Sequence, residues 1–185
     1  NGLVKARLQG LPAPAMGLIP VGRGNDFGFG IGIPHDLSIA CQALAADQRR
    51  WIDVGLAQGG DYPLGRYFGN GVGIGFDAVV GFEALKMKKL SGFPSYIVAA
   101  LKTIFLYFKA PTLEIAFNDQ VFTQSSLMVS VMNGRRMGGG FMMAPQGDPG
   151  DGQFDLCIVA QVSKPRIFAL IPKFMQGTQG GHPAV

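Results

Sequence analysis

Charge and cysteine are both scarce in this chain. Only 15% of its residues are Asp, Glu, Lys or Arg, and the net charge is +4. A chain kept disordered by charge carries more, and 48% of these residues are hydrophobic, so the composition is that of a folded protein. A balance of +4 suits an anionic nucleotide or an anionic membrane surface without requiring either, and no nucleic-acid partner is expected. The two cysteines, Cys41 and Cys157, sit far apart in apolar patterns. They read as buried free thiols in a reducing compartment, not as a disulfide. His35 and His182 show no metal-ligand spacing. No apolar run reaches the roughly 20 residues that a membrane span needs, and nothing resembles a signal peptide. The chain opens Asn1-Gly2-Leu3 and closes on Gly180-Gly181-His182-Pro183, so both ends are expected to be cut ends.

Glycine is the abundant residue, 28 of 185, and it follows no fixed period. It clusters at 22–32, 69–75 and 138–140, which marks local backbone devices. The first cluster holds Val21-Gly22-Arg23-Gly24-Asn25-Asp26-Phe27, directly after the apolar run Met16 to Ile19. Two glycines let backbone N–H groups approach an anion, and Arg23 offers a planar cationic fork for phosphate oxygens. By itself such a turn is only a turn.

Residues 1–10 read as the tail of a helix, Met16 to Ile19 as a short buried strand, and Asp36 as the N-cap of a helix to about Ala46. Helix, strand, turn and helix in that order match the end of an α/β nucleotide-binding domain, placed at 1–48. From 49 to 185 the pattern is mostly β, a sandwich or open barrel. Strands are expected at Trp51 to Leu56, Arg66 to Val80, Leu113 to Phe117, Val121 to Phe122, Leu127 to Met132 and Phe154 to Ala160. In the second of these, Asn70, Val72, Ile74 and Phe76 alternate with glycines, leaving one face bare for a close neighbour or a ligand. Pro94 and Pro111 bound one helix that is apolar nearly all round, Tyr107 included. It either packs on the sheet or turns a face to lipid, with Lys86, Lys88 and Lys89 meeting anionic headgroups; the two readings are compatible.

Five segments in order then resemble one family: IPVGRGNDFG (19–28), FGNGVGIGFDAVV (68–80), the proline-bounded YIVAALKTI helix, VMNGRRMGGGFMMAP (131–145) and DPGDGQFDLCIV (148–159). The chain resembles the diacylglycerol kinase catalytic-domain superfamily, specifically bacterial diacylglycerol/sphingosine-kinase-like lipid kinases. The resemblance implies the C-terminal part of an NAD-kinase-like nucleotide-binding α/β domain followed by a β-sandwich domain. The family's G-G-D-G-T loop and its C-terminal D-G-E-type segment have no counterpart here, so the catalytic aspartate is expected outside the chain.

The family's G-T-x-N-D-F turn falls on Gly22, Arg23, Gly24, Asn25, Asp26 and Phe27, implying nucleotide contact by residues 22–26. Arg23 stands where the family has threonine. Asn25 and Asp26 either make local turn bonds or touch nucleotide or magnesium-bound water. The family's magnesium loop falls on Asp148 to Gln153, implying a structural Mg²⁺ on the Asp151 carboxylate and the carbonyls of Asp148 and Gln153. From the residues alone this is a solvated β-turn. Asn70 and Asp77 flank the glycine-faced strand as candidate lipid contacts, Asp77 alternatively being an edge-strand carboxylate in water. Asn133, Gly134 and Gly138 to Gly140 are expected to form a loop on the same cleft, and Arg135 and Arg136 read as solvated charge. The implied activity is transfer of the γ-phosphoryl of ATP to the hydroxyl of diacylglycerol or a related lipid, with Mg²⁺. It would occur in the cytoplasm, peripherally at the inner membrane face, and the 185 residues alone should be inactive. The alternatives are an NAD-kinase-like soluble kinase and a non-catalytic lipid- or nucleotide-binding module.

Overall fold

The computed structural model describes residues 1–12, 14–22, 24–87, 92–106 and 108–185, and for Phe93 the backbone. Arg23, Lys88, Lys89 and Tyr107 lie outside the described residues.

The chain begins with helices α1 (Gly2–Leu8), α2 (Asp26–Gly30) and α3 (Leu37–Ala45). Asp36 caps α3 as its sequence predicts, its Oδ1 accepting from Ile39 N at 2.9 Å. The run Met16 to Ile19, expected as a buried strand, carries no regular secondary structure and pairs with no strand among the described residues. Without a ladder partner its apolar side chains are not enclosed, and Met16 and Ile19 are exposed. Cys41 is exposed too, because α3 buries only Ala40; Cys157 is buried as expected, and both thiols are free.

Strands β1 (Gly55–Gly59) and β2 (Tyr62–Phe68) form an antiparallel hairpin. The expected strand at Trp51 to Leu56 starts only at Gly55. Ahead of it, Asp53 bonds to loops rather than to a ladder, its N–H donating to Pro149 O at 2.7 Å and its carbonyl accepting from Asn133 Nδ2 at 2.9 Å.

The main sheet is built on β5 (Gln120–Met132). Its first half pairs with β4 (Thr112–Phe117) across a tight turn in which Asn118 takes φ +48°. Its second half lies between β3 (Gly71–Gly75) and β6 (Asp155–Ala160), all antiparallel. The expected strand Arg66 to Val80 is therefore three elements. β3 ends at Gly75, whose φ of +96° turns the chain directly into α4 (Phe76–Lys86).

Helix α5 (Phe93–Leu106) occupies the proline-bounded stretch and packs on α4 through Val80, Ala84, Ala99 and Ala100. Glu83, buried between them, pairs with Lys86 at 2.6 Å and with Lys102. The Lys102 and then the Lys86 bonds hold its carboxyl below the usual range. A further helix, α6 (Lys164–Gln176), was not legible in the sequence because Pro172 stands inside it. Ile104 of α5 and Ile167, Leu170 and Phe174 of α6 close one core over Leu127, Met128, Met132, Cys157 and Val159 of the sheet.

Candidate functional site

In the glycine-rich turn, Asn25 adopts the left-handed conformation, φ +52°. Its Oδ1 accepts from Gly22 N at 2.8 Å and its Nδ2 donates to Pro20 O at 3.0 Å. Asn25 thus does turn chemistry. Asp26 does not. Its carboxylate reaches the loop after β5, accepting from Gly139 N at 2.6 Å and lying 2.9 Å from Arg136 Nε. Burial pushes the Asp26 carboxyl above its ordinary value, against the opposing pull of the Gly139 N–H and of Arg136. Gly24 allows the two segments to touch: a Cβ there would lie 2.9 Å from Gly139 Cα.

Arg136, read from the sequence as solvated charge, is largely enclosed. Besides Asp26 it donates to Gly24 O at 3.2 Å, and its guanidinium lies 3.9 Å from the Phe29 ring centre. Arg135 is engaged as well, through Nε to Gly147 O at 2.9 Å. The doubled arginine before three glycines was the available signal. Its partners lie more than a hundred residues upstream, where no local pattern points.

Behind this contact lies an apolar cavity of about 280 Å³ between α4, α5, α6 and the sheet. Phe76, Val80, Met128, Phe141, Leu170 and Phe174 are among its walls, and among the described lining residues the carboxylates are Asp26 and Asp77. Asp77 sits in the first turn of α4, not in a strand, and is not an edge carboxylate in water. Its Oδ1 accepts from Ala78 N at 2.8 Å and its Oδ2 accepts from the Ser130 hydroxyl. Burial pushes Asp77 up to about 6. It also raises the Cys157 thiol to about 12, with the Asp77 charge adding to the effect. The glycine-faced strand explains the fit. A Cβ at Gly73 would lie 2.3 Å from Asp77 Oδ2, so the bare face of β3 accommodates this carboxylate.

The other candidates lie elsewhere. Asn70 does not line the cavity; its Nδ2 donates to Arg136 O at 3.1 Å and its carbonyl accepts from the N–H groups of Asn133 and Gly134. It supports the loop that carries Arg136. Asn133 is buried and bonds Asp53 O and Gly69 O, both at 2.9 Å, so it too is scaffold.

Asp148 to Gln153 form a loop that is exposed except at the buried Pro149, and none of its residues lines the cavity. The Asp148 carboxylate is taken by Arg50 at 3.0 Å and Gly150 N at 3.1 Å, while Asp151 Oδ1 accepts from Gln153 N at 2.9 Å. Among the described residues no three His, Cys, Asp or Glu side chains gather around a metal position. A cation here would rest on one carboxylate and backbone carbonyls, an all-oxygen set that fits a hard ion with water completing its shell.

Residues 70–185 match the YegS C-terminal NAD kinase beta sandwich-like domain, and residues 1–57 match the diacylglycerol kinase catalytic domain. The chain belongs to the diacylglycerol kinase and YegS-like lipid kinase family. It is 27% identical over 180 residues to the diacylglycerol kinase of Mycobacterium tuberculosis (strain ATCC 25618 / H37Rv), covering 96% of this chain and 58% of that protein. It is 28% identical over 164 residues to the "Probable lipid kinase YegS-like" of Pectobacterium atrosepticum, covering 88% of this chain and 51% of the relative. Among solved structures, a diacylglycerol kinase from Bacillus anthracis str. Sterne superposes with a TM-score of 0.65 at 21% identity, over 94% of this chain and 54% of its own; this likeness shows the fold. The chain spans about half the length of the family members it matches. Its architecture, a partial α/β region followed by the family's β-sandwich-like domain, is the one the resemblance implied.

Proposed function

We propose that the full-length protein is an ATP-dependent lipid kinase that transfers the γ-phosphoryl group to the hydroxyl of diacylglycerol or a related lipid. The observation that carries this reading is the apolar cavity on which Asp26 and Asp77 converge. Apolar walls suit an acyl chain, and a polar soluble acceptor such as NAD would leave its own groups without partners there. Residues 1–48 are taken as the end of the nucleotide domain and 49–185 as the acceptor domain.

Phosphoryl transfer rests on positioning and on neutralising charge. Gly22, Gly24 and Asn25 are assigned to one wall of the nucleotide site, Arg23 is added to them on the resemblance alone, and Asp26 stands where that wall meets the cavity. Asp77, fixed by Ser130, accepts a hydrogen bond from the lipid's polar end while the tail lies among Met128, Phe141 and Phe174. Asn70 contributes through the loop it holds. Magnesium would be held by the Asp151 carboxylate and the carbonyls of Asp148 and Gln153, where a hard cation supplies stiffness to the loop.

No helix among the described residues is long and apolar enough to cross a membrane. Phe82, Leu85, Phe105 and Leu106 of α4 and α5 are exposed, which supports peripheral work at the inner membrane face. The test is a radiolabelled-ATP assay of the full-length protein against a panel of diacylglycerol, sphingoid base and NAD. Label in a lipid product, reduced at least tenfold by Asp77→Ala, is expected. Label in NAD alone overturns the lipid reading, and binding of lipid or nucleotide without turnover favours a non-catalytic module.

A further inference from the structure

We infer that Arg136 is a positioning residue for phosphoryl transfer, locking the nucleotide turn to the triple-glycine hairpin at the apolar cavity so that nucleotide and lipid bind with reciprocal coupling. The inference rests on the lipid-kinase reading and names a device within that site.

The two binding regions come from different parts of the chain, and they meet at one small patch. Asp26 belongs to the 1–57 match and Arg136 to the 70–185 match. Asp26 is at once the last residue of the GRGND turn and part of the cavity wall. It accepts from Gly139 N, and Gly139 lies within a tight hairpin closed by paired Met137 and Phe141. Met137, Gly138 and Phe141 line the cavity. Gly138, Gly139 and Gly140 all take positive φ, +68°, +80° and +157°, so the hairpin depends on residues without a Cβ. A Cβ at Gly139 would lie 3.2 Å from Tyr96 Cδ2 and 3.7 Å from Gly24 Cα, and Tyr96 is also a cavity wall.

Arg136 is the residue that ties this patch together from outside. Its guanidinium touches the nucleotide turn at Asp26 and at Gly24 O, and it lies over the ring of Phe29 in α2. Its own carbonyl is held by Asn70. The Asp26 pair, 2.9 Å between Oδ1 and Arg136 Nε, is an ion pair that bridges the two segments. A phosphate arriving at the turn competes for the guanidinium and shifts Asp26, and Asp26 carries the hairpin with it. A change in the cavity wall follows, and by linkage a lipid in the cavity changes the affinity of the turn by the same factor.

The test measures the Kd of a short-chain diacylglycerol on the full-length protein, with and without a non-hydrolysable ATP analogue. In the wild type the analogue should change the lipid Kd at least about fivefold, the low end of typical couplings. Arg136→Gln should bring that ratio to about 1 and weaken the ATP analogue on its own, because the guanidinium its phosphate engages is gone, while the lipid without nucleotide binds within about threefold of wild type and turnover falls through kcat more than through the lipid KM. Arg136→Lys keeps the charge but loses the fork and should recover part of the ratio. Gly139→Ala, which leaves the arginine in place, should lose it independently. A wild type that binds both ligands without coupling, or an Arg136→Gln protein that keeps the full ratio, overturns the inference alone. A wild type that binds neither ligand overturns the lipid-kinase reading and this inference with it.

Discussion

Asp77 shows how one residue's surroundings set its chemistry. Its carboxyl is raised from 3.8 to about 6 by burial, the bonds to Ser130 and Ala78 offsetting only part of that. Between those two values the native state holds more protons than the unfolded chain, so stability falls as pH rises through this window and stays lower above it. Asp77→Asn removes the ionisation and keeps a side chain able to bond Ser130. At about pH 7.5 it should stabilise the fold by on the order of 1–3 kcal/mol, and at about pH 4 by nothing measurable, while lipid phosphorylation drops. Thermal melts at the two pH values check this, and an equal shift at both would show that the carboxylate is not the cause. Gly73 belongs to the same story. Gly73→Ala places a Cβ 2.3 Å from Asp77 Oδ2. The cost should be about 1–3 kcal/mol by denaturant unfolding, and it should shrink in an Asp77→Ala background, where the clashing atoms are gone. The chain advertised Asp77 and the bare face of its strand as separate signals. That each is the other's explanation depends on the turn at Gly75, which no local pattern announces.

At the scale of elements, legibility followed the punctuation. Asp36 begins a helix and Pro94 sits in the first turn of another, where caps and prolines have a fixed meaning. The alternation from Asn70 onward ran on into Phe76 and Asp77 without a breaker except glycine, so a helix start was read as more strand. α6 was hidden for the opposite reason: Pro172 inside it looks like a stop. Met16 to Ile19 has a strand's composition and lacks a neighbour to pair with. The helices hold the cavity, and Ile104 is where α5 enters the main core, with no exposed surface. Ile104→Ala should cost about 2–5 kcal/mol in urea unfolding, since the sheet beneath can close the space only in part. A loss well below 1 kcal/mol would mean that α5 is not anchored there.

The whole molecule is stitched by contacts between residues far apart in sequence, which is why the site was legible as motifs and not as a site. The GRGND turn was visible, but the Arg136 that holds it was taken for surface charge. A second set of stitches joins the segment before β1 to the 148–153 loop. Asp53 N donates to Pro149 O and its Oδ2 accepts from Gly152 N, both at 2.7 Å, and Arg50 pairs with Asp148. Asp155, close enough to Asp151 to feel its charge, has its carboxyl raised by burial and then by that neighbour. A divalent cation on the Asp151 carboxylate and the flanking carbonyls would relieve that repulsion and stiffen the loop to which residues 50–53 are fastened. Because it would bind the folded loop and not the unfolded chain, Mg²⁺ at a hundredfold excess over its Kd should stabilise the protein by about 2.7 kcal/mol. Asp151→Asn should abolish that gain while leaving the melting temperature in chelator nearly unchanged, since the amide oxygen can still accept from Gln153 N. Melting curves with and without Mg²⁺, wild type against variant, check it. A wild type indifferent to Mg²⁺, or a variant that keeps the shift, would make Asp148 to Gln153 a hydrogen-bonded turn that fastens residues 50–53 unaided.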